Sequence, residues 1–409
     1  MYRVLACFVA LCVLQPSCGA PTAVNSDVQK LTKASALFSL QLYRHVALDR
    51  PTAIYSPLSA HTCLTMTSMG ARGQTASEMK NTLQLNDVQA PHAAYKTLLH
   101  DLNTVQNVQL SVANGIWVNP SYPVKSTFTM EAAENYNATS ENFDLSANGG
   151  PEAPINAWIA NRTVNKIRSV LQPGAINGAT LMVLVNTVYF NGVWESKFKT
   201  PATQKANFYK SDGSVAQVDM MSQVGRFQIR QSAMPGVDMV KIPFQNTRFA
   251  FYVALPRSVS GLPDLESRLT SGNMVDLNNL FTNFTAGLVE LYLPKFNHSA
   301  TMNLNNPLKS MGMPTAFSSA ANFSGITDQP VLISSVIQKA TIEVMETGTV
   351  AAAATVVQMS RSSAFRPPTE RTVFRADHAF CYFLRDDLTG LILFQGKFTN
   401  PDITTVNTS

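Results

Sequence analysis

Apolar residues follow a helical spacing in the first part of the chain and a strand-like pattern in the second part. A repeat of three to four residues predicts an amphipathic helix over residues 28–48. The apolar residues that form this repeat are Leu31, Ala34, Phe38 and Leu42. Further helices are predicted over residues 58–70, 75–83, 91–104 and 154–171.

Two of these helices have recognisable start signals. Ser56 followed by Pro57 suits a helix start, because serine can cap the first turn and proline is tolerated within it. Thr75 and Glu78 have the spacing of a capping box, which predicts that the next helix begins after Thr75.

Residues 181–190 are almost continuously apolar and rich in branched side chains, which is typical of a strand buried on both faces. Further strands are predicted over residues 237–243, 248–255, 287–294, 339–346, 372–384 and 390–398. Long strands mixed with helices, without a regular strand–helix alternation, indicate an α+β domain with large sheets. No repeat, low-complexity block or Gly/Ser-rich linker divides the chain, so the sequence predicts one domain.

The first twenty residues have the pattern of a secretory signal peptide. Arg3 is followed by an apolar run over residues 4–14, and small residues then allow cleavage after Gly19 or Ala20. The apolar run is too short to span a bilayer, and no later stretch is long enough. We therefore expect a secreted, extracellular protein with a mature domain over residues 21–409 and no transmembrane segment.

Composition agrees with a secreted globular domain. Apolar residues make up 45% of the chain, which is enough for a large core, and the net charge of +5 is too weak to indicate nucleic-acid binding. Outside the leader only Cys63 and Cys381 remain, and their apolar surroundings predict buried free thiols. The sequons, which are glycosylation candidates, begin at Asn137, Asn161, Asn283, Asn297, Asn322 and Asn407.

A segment with unusual chemistry follows the strand predicted over 339–346. Gly348 provides a flexible joint, and four alanines flanked by β-branched residues come next. No proline or charged residue occurs between Thr347 and Ser360, so this segment could enter the middle of a sheet without a blocked hydrogen bond or a buried charge. An alanine-rich surface helix or linker is the alternative that these residues alone leave open.

Eight short motifs occur in a fixed order along the mature chain. They are 55–59 (YSPLS), 184–186 (LVN), 189–194 (YFNGVW), 323–326 (FSGI), 333–334 (IS), 346–355 (ETGTVAAAAT), 374–380 (FRADHAF) and 394–397 (FQGK). Each motif alone is weak, but their joint order over more than three hundred residues is very specific. In this order the mature chain resembles the serpins.

The resemblance implies a single-domain α+β serpin fold, with three β-sheets surrounded by helices and an exposed reactive-centre loop over about residues 346–373. In inhibitory serpins a serine protease attacks this loop, forms an acyl-enzyme, and is trapped when the cleaved loop inserts into the main sheet as a new strand. The resemblance places the hinge of the loop at Glu346, Gly348, Thr349, Ala351, Ala352, Ala353, Ala354 and Thr355. It places the region where the sheet opens at Ser56, Ser59, Asn186 and Gln338.

The chain departs from the family pattern at three positions. Val350 stands where glutamate is frequent, and Ala379 stands where proline is usual. Gln338 replaces a common histidine, but its amide could still hydrogen-bond Ser56 or Asn186.

Two reactive bonds fit the family spacing from Glu346. A sixteen-residue spacing gives Arg361–Ser362, and a seventeen-residue spacing gives Ser362–Ser363. We favour Arg361–Ser362, because arginine can pair with a carboxylate at the bottom of a trypsin-like pocket. Arg366 is a poorer candidate, because Pro367 would obstruct cleavage after it.

Two local basic clusters suggest further partners besides the target protease. One contains Arg361, Arg366, Arg371 and Arg375, and the other contains Lys197, Lys199, Lys205 and Lys210. Either could contact an acidic protease surface or a sulfated polysaccharide such as heparin. No cofactor or metal is expected, and we expect a monomer.

Two rival functions are weaker. An enzyme is disfavoured because the G-x-S-x-G, H-E-x-x-H and C-x-x-C patterns are absent from the sequence, and Asp377 next to His378 is expected to be structural. A non-inhibitory serpin, acting as a carrier or protease substrate, stays open because of Val350 and Gln338. The small, uncharged hinge residues favour the inhibitory reading.

Overall fold

The computed structural model describes residues 26–271, 280–349 and 371–408. The α-helices whose bounds it gives are α1 (Ser26–Val46), α2 (Pro57–Ser68), α3 (Gly73–Thr82), α4 (Pro91–Asn103), α5 (Ser126–Tyr136), α6 (Glu152–Arg162), α7 (Leu262–Thr270) and α8 (Asn305–Met311). Within these described ranges, no helix is long and apolar enough to cross a membrane.

The strands lie mostly in the second half of the chain. They are β1 (Ala53–Tyr55), β2 (Val108–Val118), β3 (Thr139–Asn142), β4 (Met182–Val193), β5 (Gln204–Tyr209), β6 (Val215–Met234), β7 (Val237–Pro243), β8 (Phe249–Pro256), β9 (Thr285–Pro294), β10 (Phe296–Asn303), β11 (Ser335–Val344), β12 (Gly348–Thr349), β13 (Thr372–Arg375), β14 (Phe380–Asp386), β15 (Ile392–Phe398) and β16 (Thr405–Thr408).

Hydrogen bonds join these strands into two networks. The main sheet has the order β16-β10-β11-β4-β2-β3, with β12 added on β4, and the second network has the order β1-β15-β14-β8-β7-β6-β9-β13, with β5 added on β6. The 20-residue strand β6 connects the two halves of the second network. It pairs with β5 over residues 215–220, with β9 over residues 220–229 and with β7 over residues 228–234. The resemblance implied three sheets, and the structure has two hydrogen-bonded networks. Two of the expected sheets are joined through β6 in the second network.

Helix α2 lies behind the centre of the main sheet, and its side chains are buried on all sides from Pro57 to Thr67. Buried polar side chains need partners, and the hydroxyls of Thr62 and Thr67 donate to backbone carbonyls within the helix. Its start was predicted correctly: Ser56 accepts a hydrogen bond from the amide of Ser59 at 3.1 Å, with Pro57 in the first turn. The opposite face of the sheet is covered by α6 and the segment after it, through a second apolar cluster that includes Trp117, Ile155, Ile159, Val170, Leu171 and Val185.

Three sequence predictions need correction. Helix α3 begins at Gly73, and the Thr75 hydroxyl accepts a hydrogen bond from the amide of Asn322 at 3.0 Å instead of capping the helix. Helix α6 ends at Arg162, because Thr163 turns the chain by bonding both the carbonyl of Ile159 and the amide of Ile167. The strand predicted over 372–384 is two strands, β13 and β14, in different parts of the second network.

The two thiols are buried and free, as the sequence predicted. Burial raises the pKa of both Cys63 and Cys381 to about 12. Both side chains therefore remain neutral and behave as small apolar groups in the core.

Candidate functional site at the centre of the main sheet

Strands β4 and β11 lie side by side in parallel at the centre of the main sheet. Their register runs from Val183 opposite Ser335 to Tyr189 opposite Thr341, and we call this boundary the seam. Beyond Thr341, β11 continues to Val344 in pairing with β10, while β4 continues to Gly192 in pairing with β2. The two strands therefore separate at one end of the seam.

A cluster of buried polar side chains joins the seam to the start of α2. The Gln338 amide donates to the side-chain oxygen of Asn186 at 2.8 Å and to the carbonyl of Ser56 at 2.9 Å, and its oxygen accepts from the Ser56 amide at 3.0 Å. The Ser59 hydroxyl donates to the same Asn186 oxygen at 3.1 Å. The four side chains are at most 1% exposed. The predicted proximity of Gln338 to Ser56 and Asn186 is thus confirmed.

The geometry of this cluster explains how it can hold the seam closed. Asn186 and Gln338 are directly opposite each other on β4 and β11, and the helix behind the sheet contributes the other partners. Buried polar groups are stable only when they are paired, so separation of the strands would leave several groups unpaired at once.

Replacing Gln338 by alanine is expected to lower the free energy of unfolding by about 2 kcal/mol, because the buried Ser56 amide loses its partner. The urea midpoint followed by tryptophan fluorescence measures this change. Gln338→His, which keeps a ring donor, is the control and should lose less stability at pH 8. An unchanged midpoint for Gln338→Ala would mean that the cluster does not stabilise the seam.

The chain turns back on itself where β11 ends. Met345 and Gly348 exchange backbone hydrogen bonds at 2.9 and 3.2 Å, and the chain then runs antiparallel to β4 as β12. In β12, Gly348 is opposite Val193 and Thr349 is opposite Gly192. The first hinge residues therefore already occupy the open end of the seam.

Thr349 and Gly348 fit this place through their size. The Thr349 side chain is fully buried, and its hydroxyl accepts a hydrogen bond from the Gly192 amide at 3.0 Å. Gly348 has a φ of +148°, and a Cβ on it would lie 2.0 Å from the Gly192 carbonyl oxygen. Only glycine can adopt this backbone so close to β4 without displacement.

Glu346 anchors the start of the turn. Its carboxylate lies 3.1 Å from the ammonium of Lys295 and accepts a hydrogen bond from the Thr203 hydroxyl at 3.1 Å. Burial alone would raise the pKa of this carboxyl, but hydrogen bonds from its own backbone, from Lys295 and from Thr203 outweigh burial and lower the pKa. The carboxylate therefore stays charged at neutral pH and holds the turn in place.

Trp194 is a contact of the hinge to which sequence reasoning assigned no role. Its backbone amide donates to the Thr347 carbonyl at 3.0 Å, and its ring N–H donates to the Met345 carbonyl at 2.8 Å. The ring stacks on Phe244, with the centroids 4.5 Å apart. Its sequence signal was its place directly after a buried strand, since it follows Val193, the last residue of β4.

The remaining predicted site residues belong to the reactive-centre loop and to the sequons. Hinge residues Ala351, Ala352, Ala353, Ala354 and Thr355 lie outside the described residues, as do the candidate reactive-bond residues Arg361, Ser362 and Ser363. The asparagines of five sequons are exposed, namely Asn137, Asn161, Asn283, Asn297 and Asn322. Asn407 belongs to β16.

His378, which was expected to be structural, contacts oxygen atoms of the protein with both ring nitrogens. His378 Nε2 donates to the Pro256 carbonyl at 2.6 Å, and Nδ1 lies 2.9 Å from the Asp377 carboxylate. Both ring nitrogens are thus engaged by oxygen atoms of the protein, and neither of these partners is a serine or cysteine nucleophile.

The lysine cluster is partly neutralised. Lys205 lies 2.9 Å from Asp219, and Lys210 lies 2.6 Å from Asp402. This pairing reduces the positive potential that four lysines in sequence suggested.

Comparison with known proteins agrees with this architecture. The model of the family described as serpin (serine protease inhibitor) matches residues 33–401. The chain is a serpin. Among curated serpins, Serpin-Z1C of Triticum aestivum is 30% identical over 397 residues, which cover 93% of this chain and 98% of that protein.

Solved serpin structures share the fold. Serpin48, described as a highly specific serpin of the insect Tenebrio molitor, superposes with a TM-score of 0.81 at 30% identity and covers 92% of this chain and 99% of its own. Human thyroxine-binding globulin, solved in complex with its hormone, gives 0.83 at 25% identity and covers 92% of this chain and 100% of its own. Serpins are generally protease inhibitors rather than enzymes, and a thyroxine-binding protein also has this fold.

Proposed function

We propose that this serpin is a secreted suicide inhibitor of trypsin-like serine proteases. In the proposed reaction the protease serine attacks the carbonyl carbon of Arg361 and the bond to Ser362 breaks. The new amine leaves with Ser362, and an ester joins Arg361 to the protease. The loop that precedes the ester then inserts between β4 and β11, and the ester persists because the protease is displaced and distorted.

The observation that carries this proposal is the pairing of β12 with β4. If the register of Thr349 opposite Gly192 continues, each later loop residue pairs with the preceding residue of β4. Met359 would then lie opposite Met182, the first residue of β4. Arg361 would follow two residues later, just beyond the end of the strand.

The number of residues between Thr349 and Arg361 thus matches the length of β4. A protease attached to Arg361 would end beside Met182, at the end of β4 that lies roughly 35 Å from Val193 at the usual rise of a strand. The side chains that would share the buried face with Thr349 are Ala351, Ala353, Thr355 and Val357, which are all small and uncharged.

Incubation with a slight molar deficit of trypsin tests the proposal. We expect a band at the summed mass that survives boiling in SDS, and a released fragment that begins at Ser362 by mass spectrometry. The Arg361→Ala variant should lose the trypsin complex, whereas Ser363→Ala should keep it.

Two other results would redirect the proposal. A complex with elastase and a fragment that begins at Ser363 would assign the reactive bond to Ser362–Ser363. Cleavage in the loop while trypsin stays fully active would instead indicate a non-inhibitory serpin, acting as a carrier or substrate.

A further inference from the structure

One outward-facing surface of the second network combines exposed valines with arginines. It is formed by three neighbouring strands in register: Val224 is opposite Glu290 on β9, which is opposite Val373 on β13. In strands, residues on one such cross-strand row point to the same face. We call this surface the arginine–valine face, and its residues are Val224, Arg226, Leu288, Glu290, Tyr292, Arg371, Val373 and Arg375.

The apolar centre of this face is open to solvent. Val373 is 58% exposed and Val224 is 49% exposed, while the alternate residues Phe374 and Val289 are buried on the other side. A surface with an apolar centre and a charged rim has the anatomy of a protein–protein contact.

The rim is positively charged. Arg226 and Arg371 are exposed and form no ion pair with the residues that the structure describes, and the guanidinium of Arg375 lies 3.5 Å from the ring centroid of Tyr292. Glu290 is the one carboxylate of the face, and it accepts a hydrogen bond from the Tyr292 hydroxyl at 2.7 Å. Three positive charges against one negative charge favour an acidic partner.

The short distance along the chain between this face and the proposed reactive bond favours the target protease as the partner. The chain enters the face at Arg371, nine residues after Ser362. Nine residues reach at most about 30 Å, so a protease bound at the proposed reactive bond is held next to this face at a high effective concentration. A weak second contact is sufficient under these conditions to raise the rate of association.

We propose that the arginine–valine face is a second contact site for the target protease, which selects proteases with an acidic surface beside the active-site cleft. This inference rests on the proposed inhibitory function. It goes beyond that function by assigning part of the specificity to strands β6, β9 and β13 rather than to the reactive-centre loop.

Charge reversal at Arg226 tests the face without touching the loop. Arg226 is on β6, distant in sequence from the reactive bond, and its exposed side chain can be replaced by glutamate without burial of the new charge. The matched control is Lys80→Glu, which makes the same charge change on an exposed position of α3. Equal thermal midpoints for both variants establish that they are folded alike.

The probes are anionic and cationic trypsin, which share one specificity pocket but differ in net charge. At low ionic strength the association rate constant of Arg226→Glu with anionic trypsin is expected to fall about tenfold relative to Lys80→Glu, with the stoichiometry of inhibition unchanged. This difference should shrink at 0.5 M salt, and the rate with cationic trypsin should not fall. Equal rate constants for the two variants with anionic trypsin would overturn the proposal.

A second measurement separates this proposal from the proposed function. Anionic trypsin with its catalytic serine replaced by alanine cannot form an ester, so its binding by biolayer interferometry reports on contacts alone. Weaker binding to Arg226→Glu than to Lys80→Glu supports the face even if wild type is only a substrate. A sulfated polysaccharide is the other occupant of matching charge: loss of heparin-column retention in Arg226→Glu, with inhibition equal to that of Lys80→Glu, would overturn the protease assignment.

Discussion

The Thr349→Arg variant is expected to be cleaved by trypsin without trapping it. Thr349 is fully buried where the hinge enters the seam, and its hydroxyl accepts from the Gly192 amide at 3.0 Å. An arginine there would have to bury a guanidinium that has no carboxylate opposite it, which costs several kcal/mol. In the proposed mechanism insertion proceeds from this residue, so a barrier increase of about 3 kcal/mol would slow insertion more than about a hundredfold.

Hydrolysis of the acyl-enzyme would then be faster than trapping. The measurements are the yield of SDS-stable complex and the number of inhibitor molecules consumed for each trypsin inactivated. Thr349→Ser, which keeps the hydroxyl and reduces the volume, is the control and should trap trypsin as the wild type does. Equal trapping by Thr349→Arg would mean that the segment beginning at β12 does not enter the seam.

The buried strands were the part of the fold that the sequence predicted best. Residues 181–190, a nearly continuous apolar run, form most of β4. The strand predicted over 237–243 from its alternating pattern has the bounds of β7. The start of α2 could also be predicted, because the capping hydrogen bond of Ser56 is made within the first turn of the helix.

Features that depend on distant residues could not be predicted from the sequence. Thr75 and Glu78 have the spacing of a capping box, but both bond the segment around residues 315–322 instead. Ala376 to Ala379 interrupt an apolar run because the chain crosses from β13 to β14 there. Local spacing cannot reveal that a residue's hydrogen bonds are used by a segment more than two hundred positions away.

The candidate site also has a part that could be predicted from the sequence and a part that could not. The resemblance located Ser56, Ser59, Asn186 and Gln338, and the register of β4 on β11 explains why these four converge. The hinge residues were recognisable as small and uncharged, but the position of β12 on β4 follows from the turn that Glu346 and Trp194 hold. That turn depends on contacts with Trp194, Thr203 and Lys295, which are far from it in sequence, so it could not be predicted before the fold was known.

Mild acid is expected to destabilise the native protein through buried histidines. Burial lowers the pKa of His61 to about 4 and that of His298 to about 3, and it lowers the pKa of the partly exposed His92 to about 4. His61 bonds the Leu83 carbonyl at 2.9 Å, and His298 lies 3.1 Å from the Tyr382 hydroxyl. No carboxylate among the described residues forms an ion pair with these rings, so a proton on them has no compensating charge.

The direction of the effect follows from proton counting. Unfolded histidines bind protons below a pH of about 6.5, whereas the buried rings stay neutral until a pH of about 4 or below. The unfolded state therefore binds more protons in this window, and stability falls as the pH decreases through it. At pH 5 each fully buried histidine contributes about 2 kcal/mol to this loss, and His92 adds a smaller amount.

Urea midpoints between pH 8 and 5 measure the effect. Stability should be nearly constant from pH 8 to 7 and then fall below pH 6.5, in a range where most carboxylates are still ionised. His298→Asn removes one titrating group, so it should lower stability at pH 8 but reduce the loss between pH 6.5 and 5 by about 2 kcal/mol. If this variant lost as much stability as the wild type over that range, the buried ring of His298 would not be a source of the acid sensitivity.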